Sequence, residues 1–279
     1  MLFRSAMEQL DVIEGIAHAG ARELMPRWRS LSADQVTEKA ANDLVSDADR
    51  ASEKAILRQI RERFPDHRVL SEEAGWSGAA DGPTWFVDPL DGTTNYVHGL
   101  PHFAVSVGLA VEGRMTYGVV VDPVKGDVFR AAAGHGAWWN GQPCRVSSRP
   151  GLAGALLSTG FPFKAHQLLD PYLAIFRDVF LRCKAVRRTG SAALDLAYCA
   201  CGLYDGFFEF ALGPWDIAAG SVLVNEAGGV LSDMGGGAAF LESGNVVCGP
   251  PGVHRELLEV VQSKREAWSR AVAGPTGPA

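Results

Sequence analysis

A chain of 279 residues, 47% hydrophobic and 21% charged, can bury a large core, which excludes a disordered chain and fits one compact unit with two layered halves better than separate domains. The formal charge of −6 argues against a protein whose main task is to grip nucleic acid, so an anionic ligand needs local positive charge from helix ends, single basic side chains or metal ions. Five cysteines without a CxxC pair suggest neither a disulfide framework nor a zinc ribbon, and a reducing cytoplasm fits them.

In chain order, the opening MLFRSAMEQLDVIEG acquires acidic groups too early for a signal peptide, and no run of residues is long enough to span a bilayer. From Met7, apolar Leu10, Ile13, Ala17, Ala21 and Leu24 recur at three- and four-residue steps, predicting a helix with one buried stripe that Pro26 ends. A second helix is expected from about Asp49 to Phe64, stopped by Pro65. HRVLSEEAG then reads as a strand running into acidic residues, and TWFVD, FAVSVGLAV, RMTYGVVVD and GDVFRAAA read as strands of a largely antiparallel sheet, with Asn140-Gly141 as a hairpin signal. After about Gly151 the rhythm becomes α/β alternation: ALLSTG, a helix near Tyr172 to Phe180, KAVRRTG, a helix from Ser191, YDGFFEF and a helix from Trp215. GGVLSD, NVVCG, a single charged helix VHRELLEVVQSKREAWSRAV and a frayed GPTGPA tail close the chain. The reading divides the chain into an N-terminal α+β half (1–150), a C-terminal α/β half (151–270) and a tail (271–279), with no linker between the halves.

The stretch WFVDPLDGTTNYVHG carries the chemistry. Asp88 sits where the TWFVD strand ends at Pro89, and the turn across Pro89-Leu90 lets Asp88 and Asp91 converge, with the Leu90 carbonyl as a further oxygen donor. Two converging carboxylates repel unless a proton or a cation intervenes, and an oxygen-only set selects a hard ion such as Mg²⁺. Gly92 allows a close backbone approach, while Thr93, Thr94 and Asn95 suit a helix start with free N–H groups for a phosphate. A metal-bound phosphate explains adjacent cation and anion sites, although a turn before an N-capped helix has the same residue types. Two further acidic stretches accompany it: SEEAG with Glu72 and Glu73, and PWDIAAGSVLVNEAGG with Asp216 at a helix start. Each alone also fits a bland role, a solvated surface pair and an N-cap respectively. His98 and His102 have HxxxH spacing, but the intervening GLP breaks a helix, and Cys199 and Cys201 read as buried thiols.

SEEAG, FVDPLDGTTNYVH and PWDIAAGSVLVNEAGG, in that order and with GSAALDLAYCACGLYDGFFEF between the last two, resemble the inositol monophosphatase family of metal-dependent, lithium-sensitive sugar phosphatases over roughly Lys39 to Gly229. The resemblance implies an αβαβα sandwich of the sugar phosphatase type. It assigns Glu72, Asp88, the Leu90 carbonyl, Asp91 and Asp216 to two or three Mg²⁺ ions, with Asp88 bridging. It gives Glu72 and Thr93 the nucleophilic water, and Asp49 of DLVSDAD the task of orienting Thr93. Asp91, Gly92, Thr93, Thr94, Ser191, Ala192, Glu209 and Asp216 would meet the substrate, Glu209 accepting ring hydroxyls, and Lys39 is a weaker correspondence. The loop DMGGGAAFLESGNVVCGPPG departs from the family pattern. The implied function is in-line hydrolysis of a small polyol or sugar phosphate without a phosphoenzyme, with myo-inositol monophosphate the leading substrate. Fructose 1,6-bisphosphate, histidinol phosphate and adenosine 3',5'-bisphosphate share the same metal logic. The family also implies a homodimer.

Three rival readings share parts of these motifs. A covalent phosphatase of the haloacid dehalogenase type has DxDGT, but here two residues and a proline separate the aspartates. A regulatory or RNA-associated protein would use its surface, yet RRTG at Arg187 to Gly190 reads better as a strand end beside an anionic pocket. A calcium module would need a D-x-D-x-D-G loop, which is missing from the sequence.

Overall fold

A computed structural model describes residues 5–30, 32, 35–40 and 43–273, with only the backbone described for 38–40, 43 and 273. The Lys39 side chain and the terminal GPTGPA therefore lie outside the described residues.

Helix α1 (Ala6–Leu24) starts at a capping box in which Ser5 and Glu8 satisfy each other's backbone N–H groups, and the expected stripe from Leu10 to Leu24 is buried. A hairpin of β1 (Val36–Ala40) and β2 (Asp43–Ser46) follows, which the sequence reading did not anticipate. Helix α2 (Asp47–Arg63) then buries its Ile56 and Ile60 face and stops before Pro65. The next strands are β3 (Arg68–Ser71), β4 (Gly75–Gly78) and β5 (Thr84–Asp91), then the short helix α3 (Thr93–Val97). Strands β6 (Ala104–Val111), β7 (Arg114–Asp122), β8 (Asp127–Ala132), β9 (Gly136–Trp139) and β10 (Gln142–Pro143) complete an eight-stranded sheet of order β10-β9-β8-β7-β6-β5-β3-β4. All its pairs are antiparallel except β3 with β5. Asn140 and Gly141 both take positive φ, 49° and 76°, as the turn between β9 and β10 requires.

The second sheet is five-stranded and mixed, of order β12-β11-β13-β15-β14. Its strands are β11 (Leu156–Thr159), β12 (Ala185–Arg187), β13 (Gly206–Glu209), β14 (Val230–Ser232) and β15 (Val246–Gly249). They are interleaved with α4 (Leu169–Phe180), α5 (Ala192–Ala200), α6 (Pro214–Glu226) and α7 (Phe240–Ser243). The expected single C-terminal helix is two, α8 (Pro251–Gln262) and α9 (Arg265–Ala273). The buried stripe Val253, Leu257, Val260 and Val261 ends at the break, and Trp268 rejoins the same core from α9.

Three apolar clusters define five layers. The first joins α1 and α2 to one face of the eight-stranded sheet, and the second fills the space between the two sheets around α5 and α6. The third lies under α4, α8 and α9 on the outer face of the five-stranded sheet. The result is an αβαβα sandwich. Helix α6 approaches the large sheet closely because β7 carries Gly118, where an added Cβ would lie 2.3 Å from the Ala219 carbonyl oxygen. That approach brings the start of α6 to the end of β5.

Candidate active site

Strand β5 does not end at Asp88 as its sequence suggests; it runs on to Asp91, with an irregularity in its pairing to β6 between these two residues. On a regular strand positions three apart face opposite sides. The bulge at Pro89 corrects that parity and turns both carboxylates one way. On the other edge, β3 pairs parallel to β5 with Ser71 opposite Val87, and the Glu72 amide donates to the Val87 carbonyl at 3.1 Å, so Glu72 follows beside Asp88.

Asp216 comes from the first turn of α6. It is the third helical residue rather than the N-cap, which is Gly213, and its Oδ2 accepts the Gly213 amide at 2.7 Å. Asp88, Asp91 and Asp216 each place a carboxylate oxygen within 4.8 Å of the others. Asp88 and Asp91 are buried. Glu72 lines the same cavity, and its charge bears on Asp88.

Burial, then the charges of Glu72, Asp91 and Asp216, push the Asp88 carboxyl well above its usual range. Asp91 is pushed up to about 7 by burial and by Asp216, against the pull of its own hydrogen bonds. Those bonds come from the start of α5: Ser191 Oγ donates to Asp91 Oδ2, and the Ala193 amide reaches the same oxygen at 2.8 Å. Ser191 is buried and holds a carboxylate, whereas Ala192 lies on the cavity wall. A cluster of carboxylate oxygens, buried at Asp88 and Asp91 and half-buried at Asp216, without nitrogen or sulfur donors matches a hard divalent cation, whose charge would offset their mutual repulsion.

Beside the cluster, Thr93 Oγ1 lies 3.0 Å from Asp49 Oδ1 and 3.0 Å from the Leu90 carbonyl oxygen. Gly92, with φ 88°, is the left-handed N-cap of α3 and has the Gly190 and His102 carbonyls 3.1 Å from any added Cβ. The Leu90 carbonyl thus faces the threonine hydroxyl. Asp49, buried at the start of α2, also accepts the Ser46 amide at 2.8 Å and the Ser46 hydroxyl at 2.5 Å through Oδ2. Burial raises Asp49 to about 6, with these hydrogen bonds opposing the shift.

The cavity above these groups has a volume of about 1180 Å³, larger than the ~300–1,000 Å³ of common ligand pockets, which leaves room for an alcohol beyond a phosphate. Gly92, Thr94, Glu209, Arg188, Phe163 and Trp215 are on its wall. Burial drives the Glu209 carboxyl well up, and Arg188 partly counters it. The Arg188 guanidinium sits 5.6 Å from the Phe163 ring centroid, so the basic spot RRTG does border an anionic pocket. His98 also lines the cavity, while His102 packs its ring against Tyr198 at 6.1 Å. All five cysteines are free thiols.

Sequence reasoning overlooked Asn95 as a bridge and Asp195 altogether. Asn95 Nδ2 donates to the His102 carbonyl at 2.8 Å and the Thr189 carbonyl at 2.9 Å, tying α3 to the loop before α5. Asp195, buried on α5, accepts the Thr189 hydroxyl at 2.6 Å. Its only signal was position: four residues after Ser191, it shares that helix face. Burial raises Asp195 to about 8. Since an unfolded aspartate titrates near 4, the folded chain keeps a proton between about pH 4 and about pH 8 that the unfolded chain loses, and stability falls as pH rises through that window. Asp195→Asn keeps an acceptor for Thr189 without the charge. Relative to the parent, metal-free Asp195→Asn should gain ~10 °C in Tm between pH 5 and pH 8.5, from roughly 4 kcal/mol. A Tm difference that does not move with pH in differential scanning calorimetry refutes this.

Comparison with known proteins agrees with the architecture. The family model for the inositol monophosphatase family matches residues 6–267. Nus factor SuhB of Pseudomonas aeruginosa is 47% identical over 267 residues, covering 94% of this chain and 90% of that protein. Nus factor SuhB of Escherichia coli is 43% identical over 250 residues, covering 89% and 94%. Among solved structures, extragenic suppressor protein SuhB from Bartonella henselae superposes with a TM-score of 0.88 at 37% identity, over 91% of this chain and 98% of that one. An inositol monophosphatase from Anabaena gives 0.83 at 36% identity, over 95% and 100%. With the match running over nearly its whole length, this chain belongs to the inositol monophosphatase family.

Proposed function

We propose that this protein is a Mg²⁺-dependent phosphomonoesterase that hydrolyses a small polyol or sugar phosphate, with myo-inositol monophosphate as the leading substrate. The observation that carries this reading is the convergence of Asp88, Asp91 and Asp216 to within 4.8 Å on the wall of a cavity that also contains Glu72 and Thr93. Glu72, Asp88, Asp91, Asp216 and the Leu90 carbonyl would hold two or three Mg²⁺ ions. When bound, such ions lower the pKa of water and neutralise phosphate charge. Glu72 and Thr93 orient the attacking water, and Asp49 fixes the Thr93 hydroxyl. Gly92 and Thr94 border the phosphate, and Glu209 accepts hydroxyl groups of the alcohol. Lithium sensitivity, a homodimer and a cytoplasmic setting complete the proposal; among the described residues no helix is long and apolar enough to cross a membrane.

Phosphate release is the test, over inositol 1-phosphate, fructose 1,6-bisphosphate, histidinol phosphate and adenosine 3',5'-bisphosphate. We expect fastest turnover of inositol 1-phosphate, stopped by EDTA and reduced by Li⁺. A panel left intact at millimolar Mg²⁺ overturns the proposal, and preference for another member reassigns the substrate. The names of the Nus factor relatives favour a second reading, a role for the surface independent of hydrolysis, and they outweigh the net-charge argument against a nucleic-acid context. Replacing SuhB in P. aeruginosa by this chain, parent or Asp88→Ala, separates the two. Function restored by both supports the surface role, and restoration by the parent alone supports catalysis.

A further inference from the structure

Helix α2 offers no ligand to the acidic cluster, yet one of its faces touches three of the segments that build it. Asp49, Ser52 and Glu53 fall at i, i+3 and i+4, a single helical face, and all three are buried. Asp49 Oδ1 accepts the Thr93 hydroxyl at 3.0 Å. Ser52 Oγ donates to the carbonyl of Pro89, between Asp88 and Asp91, at 2.8 Å. Glu53 Oε1 accepts both the Ser71 hydroxyl, at 2.5 Å, and the Ala74 amide, at 2.9 Å. Those two donors bracket Glu72 and Glu73, so one buried oxygen closes the loop that presents Glu72 to the cavity.

We infer that Glu53 is a positioning residue for Glu72, and that α2 acts as an alignment bar on which the Glu72 loop, the Pro89 bulge and Thr93 are hung at fixed spacing. The inference rests on the metal reading given above. Glu72 lies in the three-residue turn between β3 and β4, anchored on the β5 side by its amide bond to the Val87 carbonyl; Glu53 Oε1 holds the same turn from the α2 side, at both of its ends. A carboxylate that must be immobilised as each ion binds loses affinity in proportion to the disorder it starts from. Groups that orient metal ligands commonly change metal affinity by 10–100-fold when removed.

Because both bonds go to Oε1, Glu53→Gln retains the acceptor, whereas Glu53→Met fills similar volume and offers none. Isothermal titration calorimetry with Mg²⁺ alone, on metal-free protein shown by calorimetry to be folded, reads the effect directly. Expected are a Kd for Glu53→Met raised roughly tenfold and a Kd for Glu53→Gln within about threefold of the parent. Ser71→Ala, which removes a donor from the loop side, should shift Kd in the same direction as Glu53→Met. Parental Mg²⁺ affinity in folded Glu53→Met, even with a lowered Tm, would show that Glu53 only supports the fold and overturn the inference. A parent protein that binds Mg²⁺ but hydrolyses no phosphomonoester removes the proposed activity and leaves this test intact. A parent protein that binds no Mg²⁺ overturns both.

Discussion

Asp88→Asn should lower Mg²⁺-dependent phosphate release at least ~10³-fold, equivalent to roughly 4 kcal/mol, while making the metal-free protein more stable than its parent. The two effects have one cause. Asp88 is 1% exposed and lies against Glu72, Asp91 and Asp216, so without a cation its charge is a burden to the fold. The amide removes that charge and keeps the acceptor that the Leu90 amide uses at 2.9 Å. The same charge, on the proposed reading, would help hold a divalent ion. Mg²⁺ should therefore raise the Tm of the parent by several degrees and leave that of Asp88→Asn nearly unmoved. Activity within tenfold of the parent, or a metal-free variant that is markedly less stable, contradicts this account.

Much of the layered architecture is readable from local pattern, because apolar stripes and strand-turn alternation are imposed by burial on one face. The α1 stripe and the Asn140-Gly141 turn are examples. Other features depend on partners distant in sequence. Pro89 announces an interruption in DPLDGT, but that the strand runs on through a bulge instead of ending depends on β6 lying alongside. The edge strand β4 is four residues, two of them glycine, and exists through pairing with β3. The break between α8 and α9 has neither glycine nor proline within it, so it is invisible to local signals. Glu53 and Asp195 look like ordinary helical acids that face water; donors from distant segments, the Ser71 hydroxyl and Ala74 amide for Glu53 and the Thr189 hydroxyl for Asp195, make their buried positions tolerable. Convergence of Asp216 with Asp88 and Asp91 could be expected only through family resemblance, because 125 residues separate Asp91 from Asp216 and the glycine of β7 that admits α6 carries no chemistry of its own.

Thr93 and Asp49 provide the second large effect. Thr93→Ala and Asp49→Asn should each reduce kcat ~100-fold, the range for a positioned proton-handling group, and the double variant should be little worse than either. A shared function predicts this: the Thr93 hydroxyl, 3.0 Å from Asp49 Oδ1, can offer its lone pair to a water only when its proton is directed away. Asn is a poor substitute for Asp49. Ser46 N and Oγ donate to Oδ2, which fixes the amide oxygen on that side and turns NH₂ toward Thr93 Oγ1, so the amide donates to the hydroxyl oxygen and occupies the lone pair that the carboxylate leaves open to water. The coupling energy from the cycle should be about 2–3 kcal/mol, with Thr93→Ser close to the parent and the Mg²⁺ Kd changed much less than kcat. Independent losses that multiply to ~10⁴-fold would show that Thr93 and Asp49 act separately, and equal effects on Kd and kcat would move the pair from handling water to supporting the metal loop.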